Sequence, residues 1–225
     1  MKLTILDRMG WAVGSVLGVL LLWVFVTDWP VRAQAPAQAQ TAQRVEFKGD
    51  WLGVPLGEFK ARHRSADGPH CSDEYPQASK VLLADETDTR LGLVNCRAIF
   101  LGAEFIPRNG RVQAFTVANA PTTMHLFQFV DGRLYQIILS LKHDGFEGVR
   151  VGLIEKYGEP GQIKTVVPQN LYGAKFPSEE AGWIIGDSAI ALTEYGANLE
   201  TWLVYGNREL SELAKARKPK AKPDL

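Results

Sequence analysis

The sequence predicts an α+β domain in which an antiparallel sheet, built as one or more meanders, carries helices packed on one face. Two observations lead to this prediction. Asp131-Gly132 and Gly186-Asp187 each separate two apolar runs, and such two-residue loops are typical of antiparallel hairpins because they accept positive φ. Helical patterns are also few, whereas a parallel βαβ fold would need a helix after almost every strand.

The composition is that of an ordinary globular protein. The chain has 225 residues, with 25 basic and 25 acidic side chains, and 46% of its residues are hydrophobic. These values exclude a collagen-like, fully disordered or multi-pass membrane protein. Zero formal net charge gives no overall attraction to DNA or RNA, so nucleic acid is not an expected partner.

Local patterns define the individual elements. Residues 44–48 alternate polar and apolar, which predicts a half-buried strand, and the Pro-Leu-Gly-Glu-Phe stretch predicts a turn into a helix over 57–63. Residues 64–78 are rich in Ser, Asp, Gly and Pro and are expected to form a loop. Further strands are predicted over 91–101, 111–117, 124–130, 133–141, 163–167, 181–185, 188–195 and 199–205.

The clearest helix is predicted to begin at Asp144. That side chain can serve as the N-cap, and Glu147 follows at the spacing of a capping box. Gly158 supplies the left-handed stop of the helix. A short final helix is predicted over 208–218, with acids early and bases late, as the helix dipole favours. The helix predicted to begin at Asp144 carries an apolar stripe of Phe146, Val149, Leu153, Ile154 and Tyr157.

A helix followed by strands occurs twice, over 44–141 and 142–218. The globular part, 44–218, is therefore one domain or two tandem helix-plus-strands units. Residues 34–43 carry no charge and no large apolar side chain and are expected to form a flexible spacer. Residues 219–225 are expected to be a disordered basic tail.

Residues 1–33 have the features of a signal peptide or an N-terminal membrane anchor. Lys2 and Arg8 precede an uncharged, apolar stretch, and small residues around Ala33 follow it, which is the order of a cleavable secretory signal. The stretch is also close to the length that spans a bilayer, so an uncleaved anchor stays open. Both alternatives predict a periplasmic or other extracytoplasmic location, held at the inner membrane if the segment is retained. Membrane contact is expected only through this segment.

Cys71 and Cys96 are the only cysteines. In an exported chain an even pair predicts a disulfide. The alternative is a metal site, formed either by His70 and Asp73 with the two cysteines or by His63, His70 and Asp73, but no two histidines have the spacing of a zinc site. No cofactor is expected.

No recognised catalytic set occurs in the sequence. There is no Gly-x-Ser-x-Gly elbow, no phosphate loop and no dinucleotide fingerprint. His143-Asp144 resembles a base with its orienting carboxylate, but Asp144 is already assigned as a helix cap. His125 lies in a predicted strand and is expected to face solvent. The sequence therefore favours a protein without catalysis.

Three short stretches resemble small exported bacterial proteins. They are Gly-Val-Pro-Leu-Gly-Glu-Phe at 53–59, Phe-Val-Asp-Gly-Arg-Leu at 129–134 and Lys-Tyr-Gly-Glu-Pro at 156–160. The plan of a short helix followed by an antiparallel meander is similar to the β-lactamase inhibitor proteins and to the small lipoprotein of the outer-membrane assembly machine. The lipoprotein's lipid-carrying cysteine is missing here. The resemblance implies a binding or assembly role and transfers no site residue.

We therefore expect an exported, non-catalytic envelope protein that binds an envelope protein partner through one sheet face or through the loop 168–180. The alternative is a periplasmic protein that binds a small molecule or a metal, or an enzyme of this kind that hydrolyses its ligand. The candidate interaction residues are aromatic side chains of the loop, typical of interfaces, and basic residues of the C-terminal run. They are Tyr172, Phe176, Lys215, Arg217 and Lys218.

Overall fold

A computed structural model of the chain describes residues 44–64, 68–78, 80–84, 86–97, 116–167, 169, 173–196 and 199–218. These residues belong to a compact unit that extends from 39 to 225. The predicted export segment, the spacer, the basic tail and most of the strand predicted over 111–117 lie outside the described residues. None of the helices in the described part has the length and apolarity that a bilayer crossing demands.

Four α-helices and eleven strands occur in the described part of the chain. The helices are α1 (Leu56–Arg62), α2 (Glu86–Arg90), α3 (Phe146–Tyr157) and α4 (Arg208–Arg217). Short 3₁₀ turns occur at Pro76–Ala78 and His143–Gly145. The strands are β1 (Glu46–Phe47), β2 (Asp50–Trp51), β3 (His70–Cys71), β4 (Leu93–Arg97), β5 (Thr116–Val117), β6 (Ala120–Val130), β7 (Arg133–Leu141), β8 (Gln162–Val166), β9 (Ser178–Ile185), β10 (Ser188–Thr193) and β11 (Thr201–Asn207).

Nine of these strands form one antiparallel sheet in the order β3-β4-β6-β7-β11-β10-β9-β8, with β5 paired to β6. The remaining two, β1 and β2, form a separate hairpin. The chain leaves β7 through α3, enters the far edge at β8 and returns as a meander to β11. The α+β class with an antiparallel sheet is thus confirmed. The two predicted units contribute to a single sheet, since β7 pairs directly with β11.

Both predicted hairpin turns are present. Asp131 and Gly132 have φ values of 46° and 71° and join β6 to β7, so both turn positions adopt the left-handed backbone that this loop requires. Gly186, with φ of 57°, begins the turn between β9 and β10. A residue with a Cβ at Gly132 or Gly186 would be strained, which explains why these turns were readable from the sequence.

The helix predicted after residue 144 is α3, but its start differs from the prediction. Gly145 is the N-cap residue and no side chain caps the helix, so the assignment of Asp144 as the cap is wrong. A 3₁₀ turn over His143–Gly145 precedes the helix and carries Asp144 outward. The other end is as predicted, because Gly158 ends α3 with φ of 83°.

One face of the sheet carries the main hydrophobic core. Phe127 and Tyr205 share this face because both pair with the same residue of β7. Phe59 of α1 packs here, with its ring centroid 5.0 Å from that of Phe127. Val149 and Leu153 of α3 belong to the same buried cluster. Truncating Phe59, which is fully buried, would cost about 3–5 kcal/mol of stability.

The helix α4 lies on the opposite face. Gly206 follows Tyr205 on β11 and therefore faces the other way, and a Cβ built there would lie 3.8 Å from the Ser211 hydroxyl of α4. The prediction that the helices pack on one face is thus not confirmed. The reason is visible in β7, where every residue after the first is buried, so both sheet faces need a cover.

His125 is also placed differently from the prediction. It pairs with Leu139 on the core face of the sheet and is fully buried, so the expectation that it faces solvent is wrong. The strand β6 contains register shifts, and the sequence pattern alone did not show which of its residues point inward.

Candidate functional site

The predicted disulfide between Cys71 and Cys96 is formed. The two residues are direct partners on β3 and β4, and their Sγ atoms lie 2.07 Å apart. Both side chains are fully buried. The bridge attaches the short edge strand β3 and the segment that follows it to the rest of the sheet.

The residues of the alternative metal site are held by separate partners. His63 Nε2 lies 2.8 Å from Asp50 Oδ2, and the Asp73 carboxylate forms an ion pair with Lys60 at 2.7 Å. The His70 ring packs edge-on against Tyr75, with centroids 5.0 Å apart. Within the described ranges, no three His, Cys, Asp or Glu side chains are grouped closely enough to hold a metal ion.

His63 belongs to a compact cluster, which we call the His63 cluster, formed by His63, Asp50 and Arg62. Asp50 is 1% exposed and contacts both partners, with His63 at its Oδ2 and Arg62 Nη2 3.3 Å from its Oδ1. The His63 ring also packs against Phe59, at 4.6 Å between centroids. The carboxylate therefore has two ion-pair partners inside the protein, of which only His63 is within hydrogen-bond geometry, and the cluster fastens α1 to the β1–β2 hairpin.

The structure describes four of the five predicted interaction residues, and three of them have an identified partner. Tyr172 lies outside the described residues, and Phe176 is half-buried with its ring 6.3 Å from that of Tyr195. Lys215 pairs with Glu212 on the surface of α4 at 2.8 Å. Arg217 pairs with Asp131 at 2.7 Å, and Lys218 is exposed at the end of the helix.

A pocket of about 340 Å³ opens at the end of the sheet where β7 runs into α3. We call it the acidic pocket, because four of its six lining side chains are carboxylates. The turn that follows β7 and the first turn of α3 form one wall, and β9 and the residue that follows β10 form the other. The lining residues are His143, Asp144, Phe146, Glu147, Glu179 and Glu194.

Hydrogen bonds position the wall of the pocket opposite α3. Glu194 Oε2 accepts a hydrogen bond of 3.1 Å from the backbone N–H of Glu179. The hydroxyl of Thr201 donates to the backbone carbonyl of Glu194 at 3.2 Å. The Tyr195 hydroxyl lies 2.9 Å from His143 Nε2, and the two rings stack with centroids 4.2 Å apart. These contacts join the two walls without neutralising the carboxylates.

Among the described residues, Arg150 is the one cation that forms an ion pair with a pocket carboxylate, and its charge also acts on Glu179. It holds Glu147 through two hydrogen bonds, of 2.7 and 2.9 Å, and these bonds lower the pKa of that carboxyl. Glu179 Oε1 is buried and has no hydrogen-bond donor among the described residues. The pocket thus keeps more negative charge than its protein partners compensate.

Sequence reasoning missed the acidic pocket. His143-Asp144 was noticed, but Asp144 was assigned to capping a helix that Gly145 in fact caps. Glu179 and Glu194 reach the pocket through the pairing of β9 with β10, which places Glu180 opposite Thr193 and so brings their neighbours together. The last three residues of the predicted loop 168–180 belong to β9 instead, and Glu179 is one of them.

Comparison with protein-family models, with curated proteins and with solved structures finds no match. The resemblance to small exported binding proteins therefore stays a prediction. Any statement about function has to come from the site itself.

The pocket favours binding of a cation. The described lining consists of carboxylates, one imidazole and one phenyl ring, and His143 bonds to Tyr195. Four carboxylates line the same pocket, so a cation that enters it gains favourable charge interactions. The carboxylates also accept hydrogen bonds from any N–H group that enters, and Glu179 Oε1 is an acceptor that needs one.

Proposed function

We propose that this chain is an exported, non-catalytic envelope protein that binds a partner protein by accepting one of its Lys or Arg side chains in the acidic pocket. The observation that carries the proposal is the convergence of Asp144, Glu147, Glu179 and Glu194 on one cavity, with Arg150 paired to only one of them. This excess of negative charge attracts basic groups and rejects acidic ones.

The shape of the pocket supports a side chain as the guest. Its volume, about 340 Å³, is at the small end of ligand sites and accommodates one long side chain rather than a folded segment. A guanidinium can bind two carboxylates at once through its planar fork. The His143 ring, which stacks on Tyr195, and the largely buried Phe146 line the pocket and offer some apolar surface to the methylene stem of such a side chain.

The predicted location agrees with this role. A signal peptide or anchor over 1–33 would carry the domain into the periplasm, and a disulfide such as Cys71–Cys96 persists in oxidising compartments. The loop 168–180, predicted as an interaction surface, ends at the pocket with Glu179. A partner that inserts a basic side chain would therefore also contact that loop.

A small organic cation is the second candidate ligand, because the volume of the open pocket, about 340 Å³, accommodates one. The two candidates differ in what contributes affinity. A free amine gains only the pocket contacts, whereas a peptide adds contacts to the rim and the loop. Comparing free and peptide-borne arginine therefore separates them.

Fluorescence anisotropy with a labelled peptide that carries a single central arginine tests the proposal. We expect saturable binding to the full chain, and binding weaker by about tenfold or more in the variant Glu179→Gln/Glu194→Gln, because two charge-assisted contacts are lost. The matched control is Glu58→Gln/Glu209→Gln, which removes the same charge from α1 and α4 and should bind as the parent does.

Three outcomes are informative. Equal weakening in both double variants would contradict the pocket and leave only general charge attraction. Equal binding of a peptide with glutamate in place of arginine would also contradict it. If acetyl-arginine amide binds as tightly as the peptide, the ligand is a small cation and the protein-binding proposal fails.

A further inference from the structure

A second surface of opposite charge lies at the β1–β2 hairpin, which we call the basic hairpin face. Its centre is the partly buried Trp51, whose ring is contacted by two guanidinium groups. The Cζ atoms of Arg44 and Arg62 are each 4.6 Å from a Trp51 ring centroid. Lys48 occupies the tip of the hairpin in the left-handed conformation, with φ of 51°, and is exposed.

The acidic residues near this face are directed elsewhere. Asp50 points into the protein, where it pairs with Arg62 and His63. Glu46 pairs with Lys156 at 3.7 Å. With Arg62 paired to Asp50 and Glu46 paired to Lys156, the face presents the exposed cationic side chains of Arg44 and Lys48, and its surplus charge is positive. An aromatic ring beside cations is an arrangement that suits the headgroup region of a bilayer.

The position of the face in the chain adds a second argument. Arg44 follows the spacer 34–43, and residues 27–43 separate it from the apolar stretch that the sequence predicts to enter a membrane. A linker of this length spans at most about 60 Å. A chain that keeps its apolar segment therefore holds Arg44, Lys48 and Trp51 within reach of the bilayer surface.

We propose that the basic hairpin face binds the surface of an anionic phospholipid bilayer, with Trp51 at the headgroup level and Arg44 and Lys48 on the lipid phosphates. Each cation near such a surface strengthens binding by about fivefold. This contact adds to the one predicted through the apolar segment. It leaves the acidic pocket, which would be repelled by anionic lipid, free for a partner.

The C-terminal basic run is the competing lipid contact. Lys215 and Arg217 already pair with Glu212 and Asp131, so less of their charge is available. These residues provide a matched control, because the variant Lys215→Gln/Lys218→Gln loses the same charge as Arg44→Gln/Lys48→Gln. Arg44 and Lys48 are both exposed, so their replacement is not expected to disturb folding.

The test is oxidative footprinting of tryptophan in the full chain, reconstituted in nanodiscs of phosphatidylcholine with or without phosphatidylglycerol. We expect phosphatidylglycerol to reduce labelling of Trp51 by about fivefold or more relative to Trp202, and high salt to reverse the protection. Arg44→Gln/Lys48→Gln should lose the protection, and Lys215→Gln/Lys218→Gln should keep it.

Two results would overturn the proposal. One is equal labelling of Trp51 in both lipid compositions. The other is protection that persists in Arg44→Gln/Lys48→Gln but is lost in Lys215→Gln/Lys218→Gln, which would assign the lipid contact to α4. Thermal unfolding of each variant verifies that labelling is compared between folded proteins.

Discussion

The His63 cluster and the acidic pocket are built from the same residue types but handle charge in opposite ways. In the His63 cluster one buried carboxylate, Asp50, has two cationic or polar partners within 3.3 Å. In the acidic pocket four carboxylates surround a cavity, and His143 is bonded to Tyr195 rather than to any of them. The first arrangement gives its single carboxylate two partners within the chain, whereas the second has one paired carboxylate, Glu147, among four.

The comparison teaches where a functional site is to be sought in this fold. A histidine beside a carboxylate does not by itself indicate a functional site, since the His63–Asp50 contact fastens a helix. What distinguishes the acidic pocket is negative charge that the protein leaves uncompensated, because binding energy comes from groups that lack partners in the free state.

Removing the disulfide should have the largest effect on stability and should separate the two regions. Cys71→Ser/Cys96→Ser is expected to lose about 3.5 kcal/mol, because a loop of 25 residues is no longer closed in the unfolded chain. The bridge lies on the side of the His63 cluster, where Lys60 pairs with Asp73. Urea unfolding measures the loss, and arginine-peptide binding to the folded variant should be unchanged. A small loss of stability would contradict the contribution assigned to the bridge, and a loss of peptide binding would show that the two regions are coupled.

Neutralising one carboxylate in each region sharpens the comparison. Asp50→Asn should destabilise by about 2 kcal/mol, less than a fully buried pair would, because Arg62 and His63 are 32% and 25% exposed. Glu194→Gln should leave stability nearly unchanged, since the amide oxygen can still accept from the Glu179 N–H and repulsion falls. Equal destabilisation by the two variants in urea unfolding would remove the distinction between the two sites.

A smaller effect concerns His70, which lies beside the disulfide. Burial lowers its pKa, opposed by the charge of Glu74, so the unfolded chain binds a proton more readily than the folded one. Stability contributed by this residue is therefore present above its ordinary pKa of 6.5 and falls as the pH drops through 6.5 toward the lower folded value. His70→Gln should flatten the dependence of unfolding free energy on pH below about 6.5. An unchanged slope would contradict this assignment.

Local sequence signals predicted much of the fold. The turns at Asp131-Gly132 and Gly186-Asp187 require left-handed backbone, and the end of α3 requires Gly158, so each is specified by residues a few positions apart. Pairing of the two cysteines followed from their number. The order of the sheet could not be predicted, because the insertion of β8 to β11 beside β7 depends on contacts between distant strands.

The candidate site was less predictable for a related reason. Glu179 and Glu194 are 15 positions apart and meet through pairing of β9 with β10. Asp144 has the spacing of a capping residue, but the 3₁₀ turn before α3 moves the cap to Gly145. Capping spacing is thus compatible with two structures, and only the packing of the turn decides between them.

The most direct test of the central claim is a titration of the full chain with acetyl-arginine amide, followed through the imidazole resonances of His143 and His63. The account predicts that the His143 resonances shift and saturate, because the cation enters the pocket that His143 lines. The His63 resonances should stay in place, because Asp50 already compensates that cluster. Resonances of His143 that do not move, or that move no more than those of His63, would contradict the account.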